Sequence, residues 1–276
     1  MTGCNADCVW CPYGATQAAA SHGRMDEALM HALLDECAAR HVRRISPYLM
    51  NEPLVDARIW ETVRTINRRA PGARVTLTTN GSLLGPEAVR EILALGPGLH
   101  ELAVSVQGTE DAAYRETMRG RLTLGETVEN VLALARALRA RRAVRPALTV
   151  TMVGTRLIDT ARALAYWSAQ GIAARVTPLD NQGGLVTISP DLPLGVMAVN
   201  DPCPRPHKQA YVMWDGDVVV CCTDYRRSVV LGSLRRQSLH DIWNGPAAME
   251  IRRAHIEKDR AALPPLCRDC RIDRPA

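Results

Sequence analysis

The nine cysteines of this chain constrain it more than any other feature. They stand at positions 4, 8, 11, 37, 203, 221, 222, 267 and 270, with none between Cys37 and Cys203. Cys4-x-x-x-Cys8-x-x-Cys11 puts three thiols on eight consecutive residues, and Cys267-x-x-Cys270 closes a second group with Cys203 and Cys221 or Cys222. The N-terminus has neither a basic segment nor an apolar core, so it does not read as a secretory leader. A cytoplasmic, reducing location is therefore expected, and clustered cysteines there point to metal binding before disulfides. Three cysteines leave one iron of a four-iron cluster without a protein ligand, whereas four close a cluster. Zinc uses similar spacings, with His22 as a candidate fourth ligand at the first group and a zinc ribbon at the second. Cys37 falls on the apolar stripe Met25, Leu29, Leu33, Cys37 of a helix over 25–39, which makes it a core residue.

Between the two groups, the pattern alternates strand and helix. Strands are predicted over 41–50, 74–79, 99–106, 147–153 and 172–179, and helices over 57–69, 86–95, 123–142 and 158–170. This alternation implies βαβ units and a parallel sheet. No Gly-x-Gly-x-x-Gly follows a strand, so a dinucleotide-binding fold is not indicated. Ligands of parallel barrels lie at the C-terminal ends of the strands. There the sequence offers Asn51-Glu52-Pro53, Thr78-Thr79-Asn80-Gly81, Ser105, Gln107, Thr151 and Thr155. Residues 186–202 read as a linker. A β-hairpin is predicted over 211–221, turning at Asp215-Gly216. Ser238 then caps a helix to about residue 256, with Leu239, Ile242, Trp243 and Met249 as its buried face.

Composition excludes other classes. Thirty-four basic and 29 acidic residues leave a net charge of +5, spread along the chain. With only 4% aromatic residues and no Phe, this argues against a nucleic-acid partner. No apolar run approaches the ~18 residues of a membrane span.

The first cysteine group and the strand-end residues together resemble the radical SAM superfamily. The resemblance implies a [4Fe-4S] cluster on Cys4, Cys8 and Cys11, with S-adenosylmethionine on the fourth iron. Trp10 would lie beside the adenine, and Glu52 would receive the methionine amino group. Asn80, Ser105, Gln107 and Thr151 would reach the cofactor or substrate. Met50-Asn51 stand where the family usually has two glycines. Only Met1-Thr2-Gly3 precede Cys4, where the family has a strand, so a late start of the chain is expected. The C-terminal features Asp215-Gly216, Cys221-Cys222, Gly232, Ile242-Trp243-Asn244 and Cys267-x-x-Cys270 resemble SPASM/twitch extensions. These imply one auxiliary [4Fe-4S] cluster on Cys203, Cys221, Cys267 and Cys270. Adjacent strand residues point to opposite faces. One of Cys221 and Cys222 is therefore expected to ligate, and we take Cys221.

The expected fold is α/β: a partial (β/α)6-type parallel barrel over 1–185, a linker over 186–202, and a small α+β twitch/SPASM-like domain over 203–276. The spacing resembles that of twitch-domain alcohol dehydrogenases. The implied chemistry is reductive cleavage of S-adenosylmethionine, hydrogen abstraction by the 5′-deoxyadenosyl radical, and two-electron oxidation of a small hydroxylated substrate. The auxiliary cluster would accept the electron, and a flavodoxin or ferredoxin would reduce the first cluster. A sugar or cyclitol would be held by residues such as Tyr48, Gln107, Thr151 and Asn181. The alternatives are a radical SAM epimerase, with Cys222 as hydrogen donor, a peptide or sulfatase maturase, and a non-catalytic iron–sulfur or zinc protein.

Overall fold

The computed structural model describes residues 3–17 and 23–274. Met1, Thr2 and His22, the candidate zinc ligand, lie outside the described residues. Helices α1 (Tyr13–Gln17) and α2 (Glu27–Ala39) come first. Strands and helices then alternate: β1 (Arg44–Ile45), α3 (Ile59–Arg69), β2 (Arg74–Thr79), α4 (Pro86–Leu95), β3 (Glu101–Ser105), α5 (Asp111–Met118), α6 (Leu124–Ala140), β4 (Ala147–Gly154), α7 (Thr160–Ala169) and β5 (Ala173–Pro178). The remainder comprises β6 (Val196–Val199), α8 (Arg205–Lys208), β7 (Tyr211–Val212), β8 (Asp217–Val219), β9 (Val230–Ser233), α9 (Leu239–Trp243), α10 (Pro246–Glu257), α11 (Pro265–Asp269) and β10 (Arg271–Arg274). The chain forms two compact units. One is Gly3–Val9 with Cys37–Thr177; the other is Trp10–Glu36 with Pro178–Ala276, over their described residues.

The first unit is built on a five-stranded sheet in the order β1-β2-β3-β4-β5. The pairs β1–β2, β2–β3 and β3–β4 are parallel. Successive residues Leu102, Ala103 and Val104 are all buried, as expected of a strand covered on both faces. Each helix contributes an apolar stripe: Val63 and Ile66 from α3, Ala88 and Ile92 from α4, Val131, Leu134 and Leu138 from α6, Ala163 and Trp167 from α7. Local signals set the helix starts. Pro86 opens α4 at a position that needs no N–H. Thr123 caps α6, its side chain accepting from Glu126 N and donating to Glu126 Oε2.

Two expectations fail in this unit. The strand expected over 41–50 is only two residues long, because Pro47 cannot donate to a ladder. Side chains take over beyond it: Ser46 Oγ meets Thr76 Oγ1 at 2.8 Å and Tyr48 OH meets Thr78 Oγ1 at 2.7 Å. Helix α5 has no counterpart among the expected elements. Its buried face, Tyr114 and Met118 four apart, is too short to stand out in a sequence.

The second unit carries an antiparallel three-stranded sheet, β7-β8-β9, and an antiparallel pair, β10-β6. The hairpin expected over 211–221 is present, but the third strand β9 and the pair β6–β10 are additions to the expected set. β6 lies within the stretch read as a linker, and its partner is some seventy residues on, too far for a local pattern to reveal. Asp273 on β10 is buried and accepts from Leu194 N and Gly195 N at 2.9 and 3.0 Å, which anchors the approach to β6. The helix expected from Ser238 to about 256 is broken at Gly245-Pro246 into α9 and α10. Ser238 does cap α9, accepting from Asp241 N. After the break the phase changes, so Ala248, Ile251, Ala254 and His255 turn inward and Met249 is 51% exposed. α2 belongs to this unit through its end: the Glu36 carboxylate accepts from Leu239 N at 2.9 Å and His240 N at 2.7 Å, the open N–H groups of α9. Cys37 is buried, as its place on the stripe implies. No helix among the described residues is long and apolar enough to cross a membrane.

Candidate active site

In the first unit the strand ends gather the predicted polar residues into two groups. The first centres on Glu52, which is 3% exposed and caps the short 3-10 turn Pro53–Val55. Its Oε1 accepts from Leu54 N at 3.0 Å and Thr79 Oγ1 at 2.6 Å, and its Oε2 from Asn80 N at 2.7 Å. Burial raises the Glu52 pKa above its ordinary value, and these three donors work against that rise. Glu52 N donates to Gly3 O at 2.9 Å, so the residue also touches the start of the cysteine loop.

That loop is held by a closed ring of hydrogen bonds that no local sequence pattern discloses. Asn80 Nδ2 donates to Asn5 Oδ1 at 2.7 Å, Asn5 Nδ2 to Ser82 Oγ at 2.9 Å, and Ser82 Oγ to Asn80 Oδ1 at 2.7 Å. Asp7 N and Val9 N donate to Met118 O and Thr117 O, the end of α5. Gly120, at φ +74°, follows α5 where an added Cβ would stand 3.3 Å from Asn5 O, so a side chain there would press on the loop. The loop between Cys4 and Val9 is therefore shaped by the protein's own contacts. In Asn5→Ala, the buried Asn80 amide loses its acceptor, which costs about 1–3 kcal/mol. We expect Ser82→Ala to cost a similar amount and the double variant far less than the sum, as measured by urea denaturation of the apo protein.

The second group lies one strand over. Ser105 Oγ and Thr151 Oγ1 are 3.4 Å apart, and Gln107 Oε1 accepts from Val153 N at 2.8 Å. Thr155 is wholly buried, and its Oγ1 has no partner among the described residues.

The second unit assembles Cys203, Cys221, Cys267 and Cys270. Cys203, Cys221 and Cys270 are buried, and Cys267 packs against the apolar cluster of Val220, Cys221, Ile251, Leu263 and Leu266. Burial, with Cys221, Cys203 and Cys270 nearby, pushes the Cys267 thiol up to about 12; burial, with Asp180 and other thiols, does the same to Cys270. Thiols so confined ionise when a metal compensates the charge. Polar donors already point at the sulfurs. Thr223 Oγ1 donates to Cys221 Sγ at 3.2 Å, Asn200 Nδ2 to Cys203 Sγ at 3.2 Å, and Arg205 Nη1 approaches Cys221 Sγ at 3.8 Å. The Arg205 guanidinium is half-buried and is held by Asp180 at 2.9 Å. Gly183, at φ +66°, lets the Cys267-x-x-Cys270 segment approach, since an added Cβ would stand 2.3 Å from Leu266 Cδ1. Among the described residues, no three His, Cys, Asp or Glu are grouped as around a single ion. A four-iron cluster binds each thiolate to a different iron and so takes a more widely spaced set.

One sequence-based expectation changes here. Cys221 and Cys222 are not strand residues. The chain has left β8 and turns at this point, so strand alternation does not separate them. Cys222, Arg205 and Thr223 lower the Cys221 pKa, whereas Cys221 and burial raise that of Cys222. Asn181 has a structural part within the second unit. Its Nδ2 donates to Asp269 O and its Oδ1 accepts from Arg271 N, both at 2.8 Å, so it fixes the Cys267-x-x-Cys270 segment. Trp10 is buried within the second unit. Sequence reasoning does not single out Asn5, Thr223, Arg205 or Asn200. The one available signal is position, since each lies within three residues of a motif cysteine.

Cysteine groups, strand-end carboxylate and fold define the class. Residues 1–158 match the radical SAM superfamily and residues 203–271 match SPASM, an iron-sulfur cluster-binding domain. The chain belongs to the radical SAM superfamily. Its cofactors are those of the two domains: a [4Fe-4S] cluster that binds S-adenosylmethionine, S-adenosylmethionine itself, and auxiliary iron–sulfur binding. The chain is 24% identical, over 97% of its length and 88% of the relative, to the S-adenosyl-L-methionine-dependent 2-deoxy-scyllo-inosamine dehydrogenase of Niallia circulans. It is 25% identical, over 91% of its length and 80% of the relative, to the tungsten-containing aldehyde ferredoxin oxidoreductase cofactor-modifying protein of Pyrococcus furiosus. The crystal structure of BtrN with AdoMet and 2-DOIA shares the fold, with a TM-score of 0.64 and 20% identity over 98% of this chain and 89% of that one.

Proposed function

We propose that this chain is a radical SAM alcohol dehydrogenase acting on a small polyhydroxylated ring, a sugar or cyclitol. The observation that carries this reading is the match along nearly the whole chain to a 2-deoxy-scyllo-inosamine dehydrogenase. In this reading 1–185 is the catalytic barrel and 203–276 the auxiliary domain. Cys4, Cys8 and Cys11 hold the first cluster, and Cys203, Cys221, Cys267 and Cys270 the auxiliary one. When bound, the reduced cluster and S-adenosylmethionine supply a 5′-deoxyadenosyl radical, which takes a hydrogen atom from the carbinol C–H. The substrate then loses the hydroxyl proton and one electron to become a ketone. Glu52 would receive the methionine ammonium, Trp10 would lie beside the adenine, and Asn80, Ser105, Gln107 and Thr151 would orient cofactor and substrate.

Arg205 suits the second electron transfer. A cation beside Cys221 favours the more negative, reduced state of a cluster on these thiolates, which makes the cluster a better acceptor. An external flavodoxin or ferredoxin reduces the first cluster. The epimerase alternative needs a thiol facing the substrate. Cys37 is buried on α2 and Cys222 adjoins the auxiliary ligand Cys221, so neither supports it.

The test is product mass after anaerobic incubation with S-adenosylmethionine and a strong reductant, across a panel of cyclitols and aminocyclitols. A product two hydrogens lighter, with 5′-deoxyadenosine formed in equal amount, is expected. An isomer of unchanged mass would overturn the reading. Glu52 adds a pH test. Its raised pKa means the carboxylate is lost, as pH falls, earlier than for an ordinary Glu. Affinity for S-adenosylmethionine should therefore decline on the acid side, beginning above pH ~4.5. Glu52→Gln should bind about 10–100-fold more weakly and lose that acid limb; equilibrium binding from pH 4.5 to 8 measures both.

A further inference from the structure

The turn that follows Cys221 carries a tyrosine that contacts Cys11. Tyr225 OH lies 3.5 Å from Cys11 Sγ, and both residues belong to the second unit. The turn is rigid. Asp224 at its centre is wholly buried and accepts from Ser228 N and Ser228 Oγ at 2.8 Å and Val229 N at 2.9 Å. Asp224 N donates to Cys221 O, and Arg227 N to Asp224 O. One ordered turn thus carries a thiol of the auxiliary set at its start and a phenol directed at Cys11 four residues on.

Between a thiol and a phenol, either group can be the donor. A cysteine that ligates iron has no proton, so with the cluster in place the phenol donates. Hydrogen bonds to cluster sulfurs are among the terms that set reduction potential. A donor stabilises the extra negative charge of the reduced state and so raises the potential.

We propose that Tyr225 is a positioning residue whose hydroxyl donates to the Cys11 thiolate and holds up the reduction potential of the cluster that Cys11 ligates. The proposal rests on the reading of Cys11 as a ligand. It gives the auxiliary turn a second role. The segment that positions an auxiliary ligand also adjusts how easily the first cluster accepts the electron it passes to S-adenosylmethionine. Tyr225→Phe removes one oxygen and keeps the ring.

The experiment is an EPR-monitored redox titration of the fully reconstituted protein and of Tyr225→Phe, with iron counted in each. The variant is expected to keep its full iron content and an unchanged auxiliary potential. Its S-adenosylmethionine-binding cluster should become harder to reduce by about tenfold, or 59 mV for one electron. An unmoved potential for that cluster overturns the proposal, and so does loss of iron, which would make Tyr225 a folding residue of the site. Iron in Cys11→Ala separates this failure from failure of the underlying reading. If that variant keeps the full iron content and the EPR signal of the first cluster, Cys11 is not a ligand, and the proposal falls with the reading.

Discussion

Replacing Cys4, Cys8 and Cys11 together by Ala will reduce the iron of the anaerobically reconstituted protein from about eight atoms per chain to about four. Cleavage of S-adenosylmethionine will fall to background in the same variant. The loss should be confined because the two cysteine groups depend on different contacts. The Cys4 loop is shaped by Asn5, Asn80, Ser82 and the end of α5, and the auxiliary thiols by Asn200, Arg205, Thr223 and Asn181. The triple variant leaves both sets of contacts intact, so far-UV circular dichroism and the four auxiliary irons should be unchanged. Iron and sulfide analysis with zinc counted in parallel gives the result. About four irons and one zinc in the wild-type protein would remove the proposed electron acceptor and with it the dehydrogenase reading. Undiminished iron in the triple variant would show that these thiols are not the ligands.

What can be read from the sequence divides along a physical line. Periodic, buried elements are legible: β2 and α4 stand where alternation and a leading proline place them, and the cysteine spacing exposes both groups. Features decided by distant partners are not. β1 is short because Pro47 interrupts the ladder, and Ser46 and Tyr48 substitute side-chain contacts across to β2. β6 is a strand only because β10 lies beside it. At the site, Glu52 can be assigned a partner from outside the chain, but not its three donors within it. Asn181 shows the converse case. An asparagine after a strand reads as a ligand residue, yet a return of the chain ninety residues later uses both ends of its amide. Spacing can locate a metal group because ligand geometry is local. The contacts that tune it come from segments remote in sequence, as with Tyr225 and Cys11.

The sharpest division within the auxiliary site is between two adjacent thiols. We expect Cys221→Ala to lose about four irons and Cys222→Ala to keep them. Sequence alone separates the pair by assuming a strand, and that assumption fails, since the chain leaves β8 and turns at these residues. The choice rests instead on which sulfur the surroundings favour as a thiolate. Thr223 Oγ1 donates to Cys221 and Arg205 approaches it, so two groups stabilise charge on Cys221. Cys222 is pushed the other way, first by its contact with Cys221 and then by burial. A metal ligand must be deprotonated, so the site favours Cys221. Cys222→Ala should therefore leave the iron in place. Cys221→Ala should still cleave S-adenosylmethionine but form no ketone, because the second electron has no acceptor. Iron content, 5′-deoxyadenosine and product mass on the two variants test all of this together. Iron lost from Cys222→Ala and kept in Cys221→Ala would reverse the assignment, and ketone formed without auxiliary iron would remove that cluster from the reaction.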